Sequence, residues 1–528
     1  MTKWHYILVY FASLLFFVAL SFLQKTPGYM DAAYYYSIAQ QLALGKGATE
    51  PFIWNYLANP ITIPTPAFTY WMPLASILAY IGMITVHSTS FVAARVLFIP
   101  LAALIPVFSI YFNFLYSNNK TLAFSAGLLG LASGYYLPYL TITETFIPYF
   151  VLGSVYLIIS FQILKNGFYN KEKMSLVFLL GCVAGLTNLT RSDGILWLIG
   201  AWIIVCFISL SGEKRAAKRN LLIAISVFGY IIIISPWLIH NLIQFGFPFP
   251  PGSNLAIYFT NYNDLFIYPI NSINFEHLIS SGMINFLQNR LTAVVTNLDS
   301  VFLVTGGIVL FPFICAGIWK LRKEKLVQFS LIMFGLDFVL MSFVFPFAGE
   351  RGGFFHEMTA LQCFFWGLTP IGFEYLIGKL ATIRNWKSER AFHLFGVTLL
   401  SIVVILSLFI FVNKVTGLNN GTTQWNYETY EFIKVDAFLK NSGATPDQRV
   451  MVNDSPLYYS TTGRGAIQMI SGTIEGVVSA MDQFNVSYLL IDKDHTAVFD
   501  SLYNTNEDSG KFKYLFRVDD YVVYTLVN

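Results

Sequence analysis

The chain has 528 residues, of which 55% are hydrophobic and 17% aromatic while only 12% are charged, with a formal net charge of +3. Its mean hydropathy of +0.59 excludes an ordinary water-soluble protein and points to a polytopic α-helical membrane protein. Charge is unevenly spread: residues 414–528 hold 14 acids against 9 bases and the remainder 23 bases against 15 acids, so the basic surplus follows membrane topology and gives no sign of a nucleic-acid partner.

Apolar stretches lie near 5–23, 91–115, 121–139, 146–164, 175–190, 194–210, 220–239, 298–319, 326–346, 356–377 and 393–413. A bilayer-crossing helix needs about 17 to 25 such residues, which predicts about eleven transmembrane helices. Lys3, Lys120, the Lys165 to Lys173 loop, Lys214-Arg215, the Lys320 to Lys325 run and the segment from Lys379 to Arg390 then fall on one side, which the positive-inside rule makes cytoplasmic. The N-terminus is accordingly expected in the cytoplasm of a cell whose plasma membrane holds the protein. Loops 24–90, 140–145, 240–297 and 347–355 and the C-terminal domain are expected to be extracytoplasmic.

Residues 68–86 are apolar enough to cross, yet a crossing there would move every later basic loop outside. With Tyr70, Trp71 and the prolines Pro60, Pro64, Pro66 and Pro73, they are expected to lie along the outer interface as part of the first outer loop. The first apolar stretch is followed by no small-residue cleavage site and is expected to remain as an anchor. Cys182, Cys206, Cys315 and Cys363 all fall in predicted helices and read as core thiols.

Residues 1–413 thus form a transmembrane domain and 414–528 a small α/β domain. Within the latter, Val450 to Asp454 and Val486 to Ile491 have strand character, Thr473 to Phe484 is helical, and Tyr514 to Val527 reads as a hairpin turning at Asp519-Asp520. Tyr458 and Tyr459 suit either sugar stacking or half-buried packing.

Asp31 stands just past the first crossing, in Gly28-Tyr29-Met30-Asp31-Ala32-Ala33-Tyr34-Tyr35-Tyr36. A carboxylate at the edge of hydrocarbon costs several kcal/mol if drawn in unpaired, which makes it a functional candidate, with a helix N-cap as the other reading. On the same side the topology collects Glu144, Arg191 with Asp193, His240 with Asn241, the loop 246–252, Glu350-Arg351 and His356-Glu357. Arg191 and Asp193 also read as an ion pair of a tight turn, His240 as a packed histidine, and Glu357 and Glu374 as pairing or snorkelling acids. Asp337, in mid-helix, is too deep for this set and reads as a hydrogen-bonded structural acid.

The succession of Asp31 before Tyr34-Tyr35-Tyr36, Pro66-Ala67-Phe68-Thr69-Tyr70-Trp71, the Glu144 loop, Leu189-Thr190-Arg191-Ser192-Asp193-Gly194, Pro236-Trp237-Leu238-Ile239-His240-Asn241 and Phe247-Pro248-Phe249-Pro250-Pro251-Gly252 resembles the lipid-dependent glycosyltransferases of the GT-C superfamily. It is similar to the lipid A aminoarabinose transferases and the protein O-mannosyltransferases, over about residues 1–413. The resemblance implies inverting transfer of a hexosyl or pentosyl group from a polyprenyl-phosphate donor to a glycan, lipid or protein acceptor. With no obvious partner-binding helix outside the membrane, the protein is expected to work as a monomer. The resemblance also implies Asp31 as general base with Glu144 beside it. Arg351, Arg191 and His356 would meet the donor phosphate, and Tyr35, Asp193, His240 and Asn241 the substrates. In one branch the two acids bind a divalent metal, Mg or Mn, which Asp31 and Glu144 would hold here. The chain has Asp31-Ala32 in place of an Asp-Glu pair and contains no W-W-D tripeptide, which speaks against oligosaccharide transfer to asparagine. Thr65-Pro66 stand where a lipid A enzyme carries lysine and proline.

A competing class is a proton-coupled secondary transporter, for which Asp337 is the one supporting residue and internal repeats are lacking. A third is a non-catalytic lipid-binding scaffold.

Overall fold

A computed structural model describes residues 1–165, 171–208, 215–419 and 422–527. Parts of the Lys165 to Lys173 loop, Lys214 and the end of the 194–210 stretch lie outside these residues. Seven helices among the described residues are long and apolar enough to cross a membrane, from Lys3–Ser21 to Ser388–Thr416. The protein is an integral membrane protein with the expected helical architecture.

Where element boundaries depart from the sequence reading, the backbone gives the reason. The stretch 121–139 is helical only over Lys120–Ala132, because Ser133 turns left-handed at φ 56° and a 3-10 turn, Gly134–Tyr139, follows. The stretch 298–319 is broken between Thr305 and Phe311, where Gly307 and Ile308 both take positive φ. Residues 68–86 form only the 12-residue helix Leu74–Thr85, too short to cross a bilayer of about 30 Å at 1.5 Å per residue.

Two long helices form the scaffold behind the site. Phe146–Lys165 lies tight against Phe354–Arg384 because Gly153 faces Ala360, whose backbone a Cβ would strike. Asn113 further ties the bundle to the second of these through its side-chain N–H bond to the Gly367 carbonyl, 2.8 Å. The start of each helix therefore reaches the same end of the bundle.

The C-terminal domain forms a six-stranded sheet in the order Phe52–Ile53, Ala466–Gln468, Arg449–Val452, Val486–Ile491, Tyr521–Leu526, Phe512–Val518. The first four strands run parallel and the closing hairpin antiparallel. Both strands, the helix Ile474–Gln483 and the hairpin read from sequence are present. The edge strand Phe52–Ile53 comes from the first loop, with Ile53 opposite Ile467 and buried in the domain core beside Met451 and Leu489. The 1–413 and 414–528 division therefore does not separate two independent cores. Tyr458 is fully buried and Tyr459 half-buried, its hydroxyl accepting from Gln41 at 2.9 Å, so both pack the contact between the two parts.

Candidate functional site

Asp31 lies in the first turn of the helix Met30–Ala43, whose N-cap is Tyr29. It is not the cap itself: its carboxylate accepts no hydrogen bond from another residue among those described, and it is half-buried. The helix is fixed at its start by the Thr143 hydroxyl, which donates to the Ala32 carbonyl at 2.8 Å. That bond brings the 140–145 loop, and Glu144 with it, against Asp31.

Glu144 is almost fully buried and firmly held. One carboxylate oxygen accepts from the Thr145 N–H and hydroxyl, both at 2.6 Å, and the other from the Tyr29 hydroxyl at 3.0 Å. His356, in the first turn of Phe354–Arg384, places Nδ1 3.2 Å from the Thr145 hydroxyl and 3.8 Å from the Glu144 carboxylate. Its ring stacks on Phe146, with centroids 3.8 Å apart, and also lies against Phe355. Asp31, Glu144 and His356 thus come together from three elements far apart in the chain, with one ligand atom from each lying within 4.8 Å of the others. Burial pushes the Asp31 carboxyl well up, the neighbouring Glu144 charge adds to this, and Arg191 works against it. Glu144 is raised chiefly by burial, against its hydrogen bonds.

Two carboxylates and an imidazole at this spacing fit a divalent cation, since the two acids repel one another and Asp31 has no ion-pair partner among the described residues. The mixed oxygen and nitrogen set suits Mn²⁺ or Zn²⁺ better than Mg²⁺, which favours oxygen donors and water.

Arg191 forms the ion pair with Asp193, 3.1 Å, and a second with Glu357, 2.9 Å, which the sequence left open. The Tyr149 hydroxyl also donates to Glu357, at 3.0 Å. Glu374 pairs with Lys320 at 3.4 Å. Asp337 is fully buried and neither of its oxygens has a hydrogen-bond partner, contrary to the hydrogen-bonded role expected of it. It lies close enough to interact electrostatically with Asp193, Arg191 and Glu357, so it belongs to this network.

Arg351 is exposed, has no carboxylate partner among the described residues, and rests over the Tyr262 ring at 4.2 Å. Tyr262 is within electrostatic reach of both Asp31 and Arg351. Tyr35 is 3% exposed, tilted against Trp71, and within the electrostatic reach of Glu144 and Asp31. His240 instead stacks on Trp237, and Asn241 holds the 246–252 loop through the Pro248 carbonyl at 3.0 Å. Neither makes a contact with the Asp31 cluster. Tyr29 and Thr145 were missed from sequence, although each lies beside an acid already singled out.

No protein-family model and no curated protein matches the chain. Solved structures do. ArnT from Cupriavidus metallidurans in the apo state is 13% identical, covering 100% of this chain and 99% of its own, with a TM-score of 0.60. The same protein bound to undecaprenyl phosphate gives 0.58 at the same identity and coverage. The Archaeoglobus fulgidus oligosaccharyltransferase AglB, in complex with an inhibitory peptide and a dolichol-phosphate, is 14% identical over 92% of this chain and 69% of its own, with a TM-score of 0.52. From the first helix to the C-terminal sheet, the chain has the GT-C fold.

Proposed function

We propose that this protein is an inverting glycosyltransferase that moves a sugar from a polyprenyl-phosphate donor to an acceptor on the extracytoplasmic side of the membrane. The observation that carries this reading is the convergence of Asp31, Glu144 and His356 in a fold whose solved examples include complexes with undecaprenyl phosphate and dolichol-phosphate.

An acceptor hydroxyl is a weak nucleophile at neutral pH, and a carboxylate within reach speeds its attack by about 10² to 10⁴-fold. Of the two acids in the cluster, Asp31 is the one free of protein hydrogen bonds among the described residues and serves as this base, while Glu144, its oxygens held by Tyr29 and Thr145, positions the site. As the sugar–phosphate bond breaks, charge grows on the departing lipid phosphate and a fixed cation stabilises it. Arg351 fills that role, having no acid of its own among the described residues. Arg191, shared between two carboxylates, orients the site more than it binds phosphate. His356 completes the donor side. A divalent cation, when held by Asp31, Glu144 and His356, supplies further positive charge against the phosphate. Attack opposite the leaving phosphate inverts the anomeric centre.

The test is transfer from a panel of radiolabelled polyprenyl-phosphate sugars by the detergent-purified protein, with and without EDTA. Turnover that Asp31→Asn reduces by at least about 10²-fold is the expected result. A broad panel without turnover, or an Asp31→Asn variant as fast as the parent, overturns the reading, and the EDTA arm decides the metal.

A further inference from the structure

Arg351 stands at a break in its own helix. Within Gly349–Gly353 it takes φ −92° and ψ 16°, and Gly352 after it takes φ 111°, a left-handed value open to glycine. The guanidinium is exposed there and lies 4.2 Å from the centre of the Tyr262 ring, which a distant loop supplies. Glu350 is within electrostatic reach but forms no ion pair with it among the described residues. Arg95, Arg290, Arg322 and Arg517 also lie over aromatic rings. Each of those donates a hydrogen bond to a backbone carbonyl as well. Arg351 makes no hydrogen bond among the described residues, so the ring is what it rests on and its N–H groups stay free.

The ring is itself held in place. Tyr262 opens the 3-10 turn Tyr262–Phe266, whose N-cap is Asn261. Fully buried Asp264 ties that turn down. It accepts from the Thr260 N–H and hydroxyl at 2.6 and 3.0 Å, and from the backbone and side-chain N–H of Asn261 at 3.2 and 2.7 Å. It also meets His277 Nε2 at 3.0 Å. Asn289, on the helix Gly282–Ser300, donates to the Thr260 carbonyl at 2.8 Å. An irregular loop thus presents one aromatic face in a set position, within electrostatic reach of Asp31.

A cation that receives a phosphate works best when it is placed beforehand with its charge and donors still available. A carboxylate partner would place it but compete with the phosphate for the same N–H groups. An aromatic face attracts the cation through its quadrupole and takes up none of them. A long side chain left free would lose rotamer freedom on binding, and a prepared seat removes part of that loss.

We infer that Tyr262 is a positioning residue whose ring pre-organises Arg351 for the phosphate of the donor lipid, and that the hydrogen bonds around Asp264 hold the ring for this purpose. The inference rests on the role proposed above for Arg351, and its test separates the two. Undecaprenyl phosphate, with undecaprenol as the phosphate-free control, is titrated into the detergent-purified full chain by microscale thermophoresis. The variants are Arg351→Gln, Tyr262→Phe and Tyr262→Leu. Replacement of Tyr262 by phenylalanines bearing one, two and three ring fluorines keeps the shape and weakens the negative ring face in steps.

Arg351→Gln is expected to weaken undecaprenyl phosphate by at least about tenfold. Tyr262→Leu is expected to weaken it by about fivefold and Tyr262→Phe by less than about twofold, with a graded loss along the fluorinated series. Undecaprenol binding is expected to stay unchanged throughout, whereas a merely structural role for Tyr262 would weaken both lipids and ignore fluorination. Parent-like phosphate binding by Tyr262→Leu, a flat fluorinated series, or equal weakening of both lipids overturns the inference while the role of Arg351 stands. Parent-like binding by Arg351→Gln overturns that role and the inference with it.

Discussion

Arg191 is the residue on which most of the buried charge near the site depends. It is bonded to both Asp193 and the fully buried Glu357. Removing it strands Glu357, and breaking a buried pair from one side costs about 3 to 5 kcal/mol. Arg191→Met is therefore expected to lower the melting temperature sharply, and the double variant with Glu357→Gln to recover more than half of the loss in the same thermal-shift assay. Glu50 tests burial in a different way. It is 2% exposed and accepts from the Tyr34 hydroxyl at 2.6 Å and the Phe68 N–H at 3.1 Å. Burial pushes its carboxyl from the ordinary 4.5 up to about 8. The folded protein keeps a proton that the unfolded chain loses, so its contribution is fully present at low pH and is lost as pH rises through about 8. Glu50→Gln keeps the acceptor and removes the titration. It is expected to stabilise by about 4 kcal/mol at pH 8 and by little at pH 4, measured as melting temperature against pH. Asp31 was legible as a candidate because acids are rare near hydrocarbon; Glu50 was not, because its loop looks solvent-exposed in sequence.

At the scale of elements, Gly28 connects the first helix to the Asp31 helix at φ 85°, and a Cβ there would run into the Trp425 indole. Trp425 in turn donates its ring N–H to the Thr26 carbonyl at 2.9 Å and packs edge-on against Tyr29. Gly28→Ala is strained by its backbone and displaces Trp425, so it re-aims Tyr29 and loosens Glu144. The expected outcome is at least about a tenfold loss of transfer rate with a largely retained helical circular-dichroism signal, since misplacement alone can cost up to about 10²-fold. The helices themselves followed from apolar length, and the strands of the C-terminal domain from short β-branched runs. The interruptions at Ser133 and at Gly307-Ile308 were not legible, because both lie inside stretches whose hydropathy runs on unbroken and only backbone φ marks the stop.

For the molecule as a whole, the C-terminal domain is a structural partner of the first loop. Beyond the shared strand, the Tyr56 hydroxyl donates to the Gln468 carbonyl at 2.6 Å, Ser455 to the Ile53 carbonyl at 2.8 Å, and Arg449 to the Ile63 carbonyl at 3.1 Å. Ala33, two residues from Asp31, is buried with Leu457 and Tyr458. A chain ending at residue 413 would leave these groups without partners. It is expected to melt lower than the full chain and to be cut within residues 44–73 by limited proteolysis, where the full chain resists. A truncated form as stable and resistant as the parent would show that the first loop holds itself.

Composition and apolar length determined the class of this protein, the position of its main helices and the existence of a small C-terminal α/β unit, because hydrophobicity, helix length and strand periodicity are properties of neighbouring residues. The order of its polar motifs was enough to suggest the GT-C fold, and the rarity of acids near hydrocarbon brought Asp31, Glu144 and His356 into view. Their meeting within 4.8 Å, the capture of Arg191 by Glu357, the drawing of Asp337 into the same network and the insertion of Phe52–Ile53 into a distant sheet were decided only by the tertiary structure. Each depends on which faces of separate elements pack together, and hydrophobic burial, which drives that packing, is non-directional and leaves the choice of partner to the complete three-dimensional fit.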